Sequence, residues 1–196
     1  MKKQEKKSVA NVYIVQGEAQ EVKIEAEDNL IQYITTKVKN NELIIDYNEN
    51  IRAHKPINVY ITVKDICLIG LSGSGSIVTK NEIRCDHMTL RLSGSGDMNV
   101  MLKSKASKAT FSGSGNLKMN GSSPETNIRI SGSGNVNAQQ LKTFSSTVNI
   151  SGIGNTNVDV NNELTVSITG SGNVFFVTGP DKITTKITGS GEIRKI

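Results

Sequence analysis

The chain is poor in the residues on which most catalytic, metal-binding and membrane-spanning proteins depend. Its 196 residues include two cysteines, two histidines, three prolines and no tryptophan, and aromatic residues make up 4% of the total. Two cysteines cannot build a structural zinc site alone, and no apolar run approaches the about 18 residues of a membrane-spanning helix. The scarcity of aromatic residues predicts an aliphatic core and argues against a deep, aromatic-lined ligand pocket.

The positive charge of the chain is concentrated at its start. The formal net charge is +5, and the first seven residues contribute four lysines against one glutamate. We therefore expect a flexible basic tail over residues 1–8. The remaining sequence has no basic stripe with interleaved aromatic residues, which argues against nucleic-acid binding. No apolar segment follows the lysines, so no signal peptide is visible.

A four-residue motif of small residues, Ser/Thr-Gly-x-Gly, occurs seven times in the last two thirds of the chain. The spacings between successive copies are 21, 19, 19, 20, 18 and 19 residues. A fixed period of this length is typical of a solenoid, in which each repeat covers its neighbour. The tetrads begin at Ser72, Ser93, Ser112, Ser131, Ser151, Thr169 and Thr188.

Apolar residues alternate with polar ones on both sides of each tetrad, as in Leu90 and Leu92 before it and Met98 after it. Alternation with period two indicates strands. It predicts an all-β, β-helix-like solenoid of about seven rungs of 19–21 residues, stacked roughly 4.8 Å apart. Each tetrad would form a bend with both glycines facing inward and the serines facing outward. An antiparallel meander with two strands per repeat is the alternative.

The sequence before the first tetrad is also strand-like, but irregular. Asn40-Asn41 between two β-rich segments predicts a tight hairpin turn, and Asp28–Ile31 predicts one helical turn. We expect residues 9–66 to form an N-terminal β cap on the repeat region of residues 67–196, within a single domain of residues 9–196. Such a segment would cover the first rung, because a solenoid end otherwise exposes unpaired backbone.

Stacking of the rungs would align polar side chains in outward columns. This predicts a flat surface strip, rich in hydroxyl and amide groups, that contacts a cell-surface glycan or a protein. The alternative is that these ladders only satisfy each other at a corner. The residues of the strip are Ser74, Ser95, Ser114, Ser133, Asn116, Asn135, Asn155 and Asn173.

Candidates for catalysis are weak, so we predict no catalytic, cofactor-binding or metal-binding residues. His54 and His87 are isolated in the sequence. Among the acids, Asp97 and Glu192 follow the second and seventh tetrads, too far apart to act as a pair. Cys67 and Cys85 differ in their offset from the tetrads, which leaves two readings open: two buried free thiols, or a disulfide between adjacent rungs.

The pattern resembles the putative auto-transporter adhesin, head GIN domain family. The resembling segments are Val15–Gly17, Val22–Glu25, Asp28–Ile31, Thr35–Val38, Leu43–Ile45 and Val59–Val63, followed by the Ser-Gly-Ser-Gly repeats. The resemblance implies a β-helix-like fold and a periplasmic, outer-membrane-associated or extracellular location, with no cofactor. The chain departs from the pattern at Ile153, which replaces the second serine of its tetrad, and in showing no leader.

Together these observations predict a non-enzymatic β-solenoid module that binds a glycan or protein surface. Two alternatives stay open. One is a polysaccharide-acting enzyme of the pectin-lyase-like β-helix type. The other is a self-assembling scaffold, a homo-oligomer joined through the C-terminal end of the solenoid, where little sequence follows the last tetrad.

Overall fold

The computed structural model describes residues 10–47 and 55–196, and its architecture is nearly all β. The tail predicted for residues 1–8, and His54, lie outside the described residues. The elements before the repeats are β1 (Ala10–Gln16), β2 (Glu21–Glu25), α1 (Asp28–Ile31), β3 (Ile34–Lys39), β4 (Glu42–Tyr47) and β5 (Ile57–Val63). The repeat region contains β6 (Leu68–Gly73), β7 (Ser76–Thr79), β8 (Ile83–Arg84), β9 (His87–Gly94), β10 (Asp97–Lys103), β11 (Ala106–Gly113), β12 (Asn116–Ser122), β13 (Glu125–Gly132), β14 (Asn135–Gly152), β15 (Thr156–Gly170), β16 (Val174–Phe176), β17 (Lys182–Gly189) and β18 (Ile193–Lys195).

Each tetrad joins two strands that lie on opposite faces of a solenoid. Strands that lead into a tetrad form face A: β6, β9, β11, β13, the second halves of β14 and β15, and β17. Strands that follow a tetrad form face B: β7, β8, β10, β12, the first halves of β14 and β15, β16 and β18. All pairings within both faces are parallel, which confirms the solenoid of about seven turns and excludes the meander.

The stacking is in register, so equivalent residues of successive turns lie beside each other. Phe111 pairs with Leu92 on one side and Ile130 on the other, and Ser112 pairs with Ser93 and Ser131. The turn with a 20-residue spacing places its extra residue in a β-bulge opposite Lys118–Asn120. Variation in repeat length is therefore absorbed locally, and the columns of side chains continue past it.

The core between the two faces is aliphatic, as the composition predicts. Leu90, Val100, Ile128 and Val148 are completely buried. Phe111 is the one fully buried aromatic side chain among the described residues, and its ring occupies the space that a Cβ atom on Gly134 would need. A large side chain fits in this thin core because the next turn carries a glycine above it.

The two glycines of a tetrad have different roles. The second, such as Gly115, is buried, and a Cβ atom there would overlap the carbonyl oxygen of Gly96 in the preceding turn. The first, such as Gly113, is half-buried with a φ of 137°, and a Cβ atom there would overlap the carbonyl of Gly94. The prediction that both glycines face inward is thus wrong for the first one, since its positive φ turns it toward the neighbouring turn. The serines are exposed, as predicted.

The corner opposite the tetrads holds a chain of buried hydroxyl groups that the sequence did not indicate. Ser104 donates to Ser123 at 3.1 Å and Ser107 donates to Thr126 at 3.3 Å. Thr126 and Thr143 share a further hydrogen bond of 3.3 Å. Buried small polar side chains are accommodated at this corner because these five hydroxyls have partners in an adjacent turn, whereas the Ser146 hydroxyl, in register with Thr126, has none.

The N-terminal segment extends face B, and α1 covers the inward side of β5. β1 lies between β5 and β7 and runs parallel to both, while β2 closes the face in antiparallel pairing with β5. The helical turn and the hairpin are confirmed, and Asn40 and Asn41 have positive φ values of 52° and 60°. Leu30 of α1 packs with the buried Ile57 and Val59 of β5 in a second small core. The domain boundaries at residues 8/9 and 66/67 stay predictions.

Replacing Gly115 by alanine tests the close stacking of the bends. We expect the variant to lose about 2 kcal/mol or more of stability, since backbone on both sides must move to admit the methyl group. That loss corresponds to a fall of about 4–8 °C in the midpoint of thermal unfolding for a domain of this size.

The matched control is Gly179→Ala, because the atom nearest to its added Cβ is the flexible Lys195 Nζ at 3.6 Å. This variant should unfold within about 1 °C of the parent protein, as surface changes usually do. Equal midpoints for the two variants would contradict the role given to the stacked glycines.

Candidate functional site

The predicted serines line the outer edge of the bends. Ser74, Ser95, Ser114 and Ser133 are all exposed. Their backbone continues the ladder through the bend, because the amides of Ser95, Ser114 and Ser133 each donate to a first glycine of the preceding turn at 2.9 Å. The hydroxyl groups therefore form a row along the edge of face B, beside the asparagines.

The four predicted asparagines form a continuous hydrogen-bonded ladder. Asn135 Nδ2 donates to Asn116 Oδ1 at 3.3 Å, Asn155 Nδ2 to Asn135 Oδ1 at 3.2 Å, and Asn173 Nδ2 to Asn155 Oδ1 at 2.9 Å. The backbone amides of Asn155 and Asn173 also donate to the side-chain oxygen of the turn before. The ladder uses one of the two N–H groups of each side-chain amide.

The ladder has acidic side chains at its two ends and continues into the N-terminal segment. Asp97 Oδ1 accepts from Asn116 Nδ2 at 2.9 Å, and the Glu192 amide donates to Asn173 Oδ1 at 2.9 Å. Before Asp97 the column contains Ser76, which donates to Asn11 Oδ1 at 2.8 Å, and Asn11 donates to Asn58 at 3.2 Å. The sequence could not indicate Asn11 and Asn58, since no tetrad precedes them.

A second outward column runs parallel to the ladder, two residues further along each strand of face B. Paired registers connect all its members without a break. Two tyrosines begin it, a phenylalanine and an arginine end it, and between them lie one valine, three asparagines and one lysine. In order along the solenoid, the second column consists of Tyr60, Tyr13, Val78, Asn99, Lys118, Asn137, Asn157, Phe175 and Arg194.

The aromatic residues at the first end form a stacked pair. The ring centroids of Tyr13 and Tyr60 are 5.2 Å apart with an interplanar angle of 25°. Lys80 Nζ lies 4.3 Å from the Tyr13 centroid and Lys23 Nζ 5.9 Å from that of Tyr60. At the other end of the column, the guanidinium of Arg194 lies 5.4 Å from the ring of Phe175. Cations thus hold the rings at both ends of the column.

Glu25 fixes the outer tyrosine. The Tyr60 hydroxyl donates to Glu25 Oε2 at 3.2 Å, and Lys23 pairs with Glu25 Oε1 at 3.0 Å. The hydrogen bond from Lys23, joined by the one from Tyr60, lowers the pKa of Glu25. Desolvation, together with the bond to Glu25, raises the pKa of Tyr60 above its ordinary value.

The two columns border an open, shallow surface groove of about 660 Å³ on face B. Seven of its sixteen lining residues are asparagines, and Asp97 and Lys118 are the two that carry charge. Phe175 closes one end. The groove offers a nearly neutral surface of amide donors and acceptors. Its one aromatic lining residue, Phe175, lies at an end of the groove and not at its base.

The acids and histidine considered as catalytic candidates are scattered. Asp97 and Glu192 lie at opposite ends of the ladder, and Glu163 is paired with Lys182 at 2.7 Å on face A. His87 is exposed at the start of β9. Among the described residues, no group of three or more histidines, cysteines, aspartates or glutamates is placed to hold a metal ion.

The cysteines are both free, and one expectation about them is wrong. Cys67 is exposed and only Cys85 is partly buried, so the two are not a buried pair. Burial, with a further contribution from the nearby Cys67 thiol, raises the pKa of Cys85 to about 12.

Solved structures of two putative adhesins and of a putative lipid binding protein share the fold. A putative adhesin from Bacteroides fragilis superposes with a TM-score of 0.91 at 21% identity, covering 96% of this chain and 89% of that one. A putative lipid binding protein from Parabacteroides distasonis (TM-score 0.77, 20% identity) and a putative adhesin from Parabacteroides merdae (0.74, 18%) cover the same shares. The comparison with curated proteins gave no match.

In the part of the chain that the structure describes, no helix has the length and apolar character needed to cross a membrane. The family model that matches the chain covers residues 6–180, which includes the N-terminal segment and six of the seven tetrads. This confirms the resemblance drawn from the repeats and from the segments before them. The chain belongs to the putative auto-transporter adhesin, head GIN domain family.

Proposed function

We propose that the protein is a non-enzymatic, adhesin-like binding module of the cell envelope or of the space outside it, and that it holds a linear glycan along face B. The single observation that carries the proposal is the register of the second column. It aligns Tyr13 and Tyr60 with Phe175 on one line, with amides between them. The family name supports an adhesin-like role at the cell surface or envelope.

The chemistry of the groove favours a neutral glycan. A sugar presents hydroxyl groups at its edges and apolar patches on its ring faces. Side-chain amides donate to and accept from hydroxyls, and aromatic rings cover apolar patches. The remaining N–H group of each ladder asparagine is available for such contacts. The near absence of charge in the lining argues against a highly anionic or cationic polymer as the main ligand.

The dimensions favour a polymer over a small molecule. Tyr13 and Phe175 are six strands apart in the second column, which corresponds to roughly 29 Å at the spacing of paired strands. A linear chain of several sugar units lying parallel to the solenoid axis spans this distance. The exposed serines at the bends, Ser95 and Ser114 among them, would border the bound polymer on one side.

The alternatives fit the groove less well. Cleavage by two carboxylates needs a second acid within about 10 Å of the first, whereas the groove lining contains Asp97 as its one acid. A lipid, as in the name of the Parabacteroides distasonis neighbour, would need a continuous apolar lining in place of seven asparagines. A protein ligand is the remaining alternative, and the binding measurements with Phe175→Ala distinguish it from a glycan.

A second candidate function is self-association through β17. Among the described residues, this strand pairs with β15 on one side and with no strand on the other. Its inward residues Ile183 and Ile187 are each 41% exposed, whereas the equivalent Leu164 and Ile168 of the preceding turn are 0% and 1% exposed. Exposed apolar edges of this kind pair with other strands.

The sequence of β17 suits antiparallel pairing with a second copy of itself. A two-fold axis at Thr185 places Ile183 opposite Ile187 of the second copy and Thr185 opposite itself. Lys182 and Lys186 then face threonines, so no like charges are directly opposed. Such a dimer would present two binding grooves, which increases the avidity for a polymer.

Removing the ring of Phe175 tests glycan binding. The parent protein should bind one or more neutral polysaccharides in a panel of neutral and charged glycans. Phe175→Ala should bind the same glycan about tenfold more weakly in calorimetric titration, since a stacking ring contributes about 1 kcal/mol or more. The control is Phe144→Ala, whose ring is 58% exposed at the opposite corner and which should bind normally.

The parent protein could bind no glycan of the panel and instead capture a defined envelope protein, in a way that depends on Phe175. That result would show that face B binds a protein and not a glycan. An equal loss of glycan affinity in Phe175→Ala and Phe144→Ala would contradict the location of the binding site on face B. Unchanged thermal unfolding of both variants is required for either conclusion.

Enlarging a serine tests whether the bends border the ligand. Ser114→Trp places a bulky side chain beside the asparagine ladder and should weaken glycan binding about tenfold by steric exclusion. The control Ser112→Trp lies in the same tetrad, on the strand of face A, and should bind as the parent does. A correctly folded Ser114→Trp variant with full affinity would exclude the serine row from the site.

Charging the edge of β17 tests self-association. Sedimentation should show a concentration-dependent dimer that Ile183→Glu weakens at least tenfold, because the carboxylate would face Ile187 of the second copy. Thr184→Glu, on the outward side of the same strand, is the control and should remain dimeric. A parent protein that stays monomeric up to about 0.1 mM, near the weak end of specific affinities, would rule out the β17 dimer.

A further inference from the structure

We propose that a patch of three cations on face A binds a tetrahedral oxyanion, the sulfate or phosphate ester group of a charged glycan. The basic patch consists of Arg91, Lys108 and Arg129, arranged around Thr110. It lies on the face opposite the groove, so the proposal is independent of the ligand of face B.

Strand register brings the cations together from three successive turns. Thr110 of β11 pairs with Arg91 of β9 on one side and with Arg129 of β13 on the other. At the spacing of paired strands, the Cα atoms of the two arginines are roughly 10 Å apart across Thr110. Lys108 lies two residues before Thr110 and therefore points to the same side of the sheet. All four side chains are exposed.

The basic patch has little negative charge beside it. Among the residues that the structure describes, none of its three cations forms an ion pair. The strands β9, β11 and β13 together contain one acid, Glu125, at the start of β13. Glu125 is four residues before Arg129 and lies diagonally from Lys108. The two arginines therefore flank Thr110 without a counter-charge, and a bound anion would relieve their repulsion.

The charge is confined to these three turns and is not a general property of face A. The equivalent outward positions of the next two turns are Thr147 and Asn149 in β14 and Thr165 and Ser167 in β15. None of these side chains is charged. The patch therefore has the extent of one or two anionic groups, and a long polyanion would meet uncharged turns beyond it.

The arrangement of the arginines favours a tetrahedral oxyanion over a carboxylate. Each guanidinium presents a planar fork of N–H donors that pairs with two oxygens. A carboxylate has two oxygens and is occupied by one fork. A sulfate or phosphate ester has three terminal oxygens, which accept from Arg91 and Arg129 on opposite sides and from the Thr110 hydroxyl and the Lys108 ammonium.

The surroundings of the patch favour an ester group that is attached to a sugar. The five adjacent outward positions on the same three strands hold hydroxyl or amide side chains, which match the hydroxyl groups of a glycan. None of them is a large apolar residue of the kind that inserts into a lipid surface. An open depression of about 440 Å³ borders the patch at Lys108 and gives the sugar chain room. The five positions are Thr89, Ser93, Ser112, Asn127 and Ser131.

Three dextrans that differ only in their ester groups test the proposal: dextran sulfate, dextran phosphate and unmodified dextran. In calorimetric titrations of the full-length protein at low ionic strength, we expect binding of at least one of the two charged dextrans. The affinity should fall as salt is added, because the contacts are exposed to solvent. Unmodified dextran should not compete, and the affinities for the two esters distinguish sulfate from phosphate.

Arginine variants test the location of the site. Arg91→Thr and Arg129→Ser should each bind the charged dextran about tenfold more weakly, since each removes a charged hydrogen-bonding partner. Both introduce residue types that the same column already contains at Thr110 and Ser167, so the fold should be preserved. Arg129→Lys keeps the charge without the fork and should also bind more weakly than the parent protein.

The matched control is Lys142→Ser, which removes one charge from an exposed position at the corner opposite the tetrads. Its neighbour in the preceding turn is Ser122, so a serine fits there, and this variant should bind as the parent does. No binding of either charged dextran by the parent protein, or an equal loss of affinity in Lys142→Ser and the arginine variants, would overturn the proposal.

Two further results would overturn parts of it. Full affinity of Arg129→Lys would exclude the forked contact from both sides. Arginine-dependent binding to vesicles of anionic phospholipid that is tighter than binding to either charged dextran would assign the oxyanion to a lipid headgroup and not to a glycan.

Discussion

The close approach of backbone at the tetrad bends is the constraint on which the rest of the structure depends. Successive glycines lie directly above one another, and a Cβ atom at most of these positions would overlap the carbonyl oxygen of the neighbouring turn. From the second tetrad on, the amide after the first glycine donates to the turn before, as Ser114 does to Gly94 at 2.9 Å. Glycine therefore keeps the bends within hydrogen-bonding distance, and the ladder passes from face A to face B without interruption.

Stacking at a fixed distance converts a repeated sequence into columns of side chains. Each outward position of a turn lies beside the same position of the next turn. A polar position in the repeat therefore becomes a row of polar side chains spaced roughly 4.8 Å apart. In the asparagine ladder the row satisfies itself, since each side-chain oxygen accepts from the following turn. The ladder stabilises the bend and still leaves an N–H group of each amide for a ligand, so the structural and the binding interpretation of these residues are compatible.

The N-terminal segment extends the outward columns of side chains by insertion into the sheet. Because β1 lies between β5 and β7, Tyr13 and Tyr60 fall in line with Asn99, Lys118 and Phe175. A segment that merely covered the end of the solenoid would not extend the outward columns. The same insertion makes the two ends of the molecule different. One end is closed by the antiparallel strand β2, whereas at the other end β17, with Ile183 and Ile187, has no second strand beside it among the described residues.

The sequence determined the local features of this protein by itself. The alternation around the tetrads gave the strands and the outward serines, and the period gave about seven turns. Asn40-Asn41 gave the hairpin. The tertiary structure alone decided which distant segments became neighbours. The insertion of β1 and the alignment of Tyr13 with Phe175 depend on pairing between segments without a common repeat. The first glycine of each tetrad was misplaced for a related reason, since alternation assumes extended backbone and a positive φ interrupts it. The spacing of the tetrads shows which positions repeat along the chain. Strand pairing across the solenoid depends instead on backbone geometry and packing, which cannot be read from any single position of the sequence.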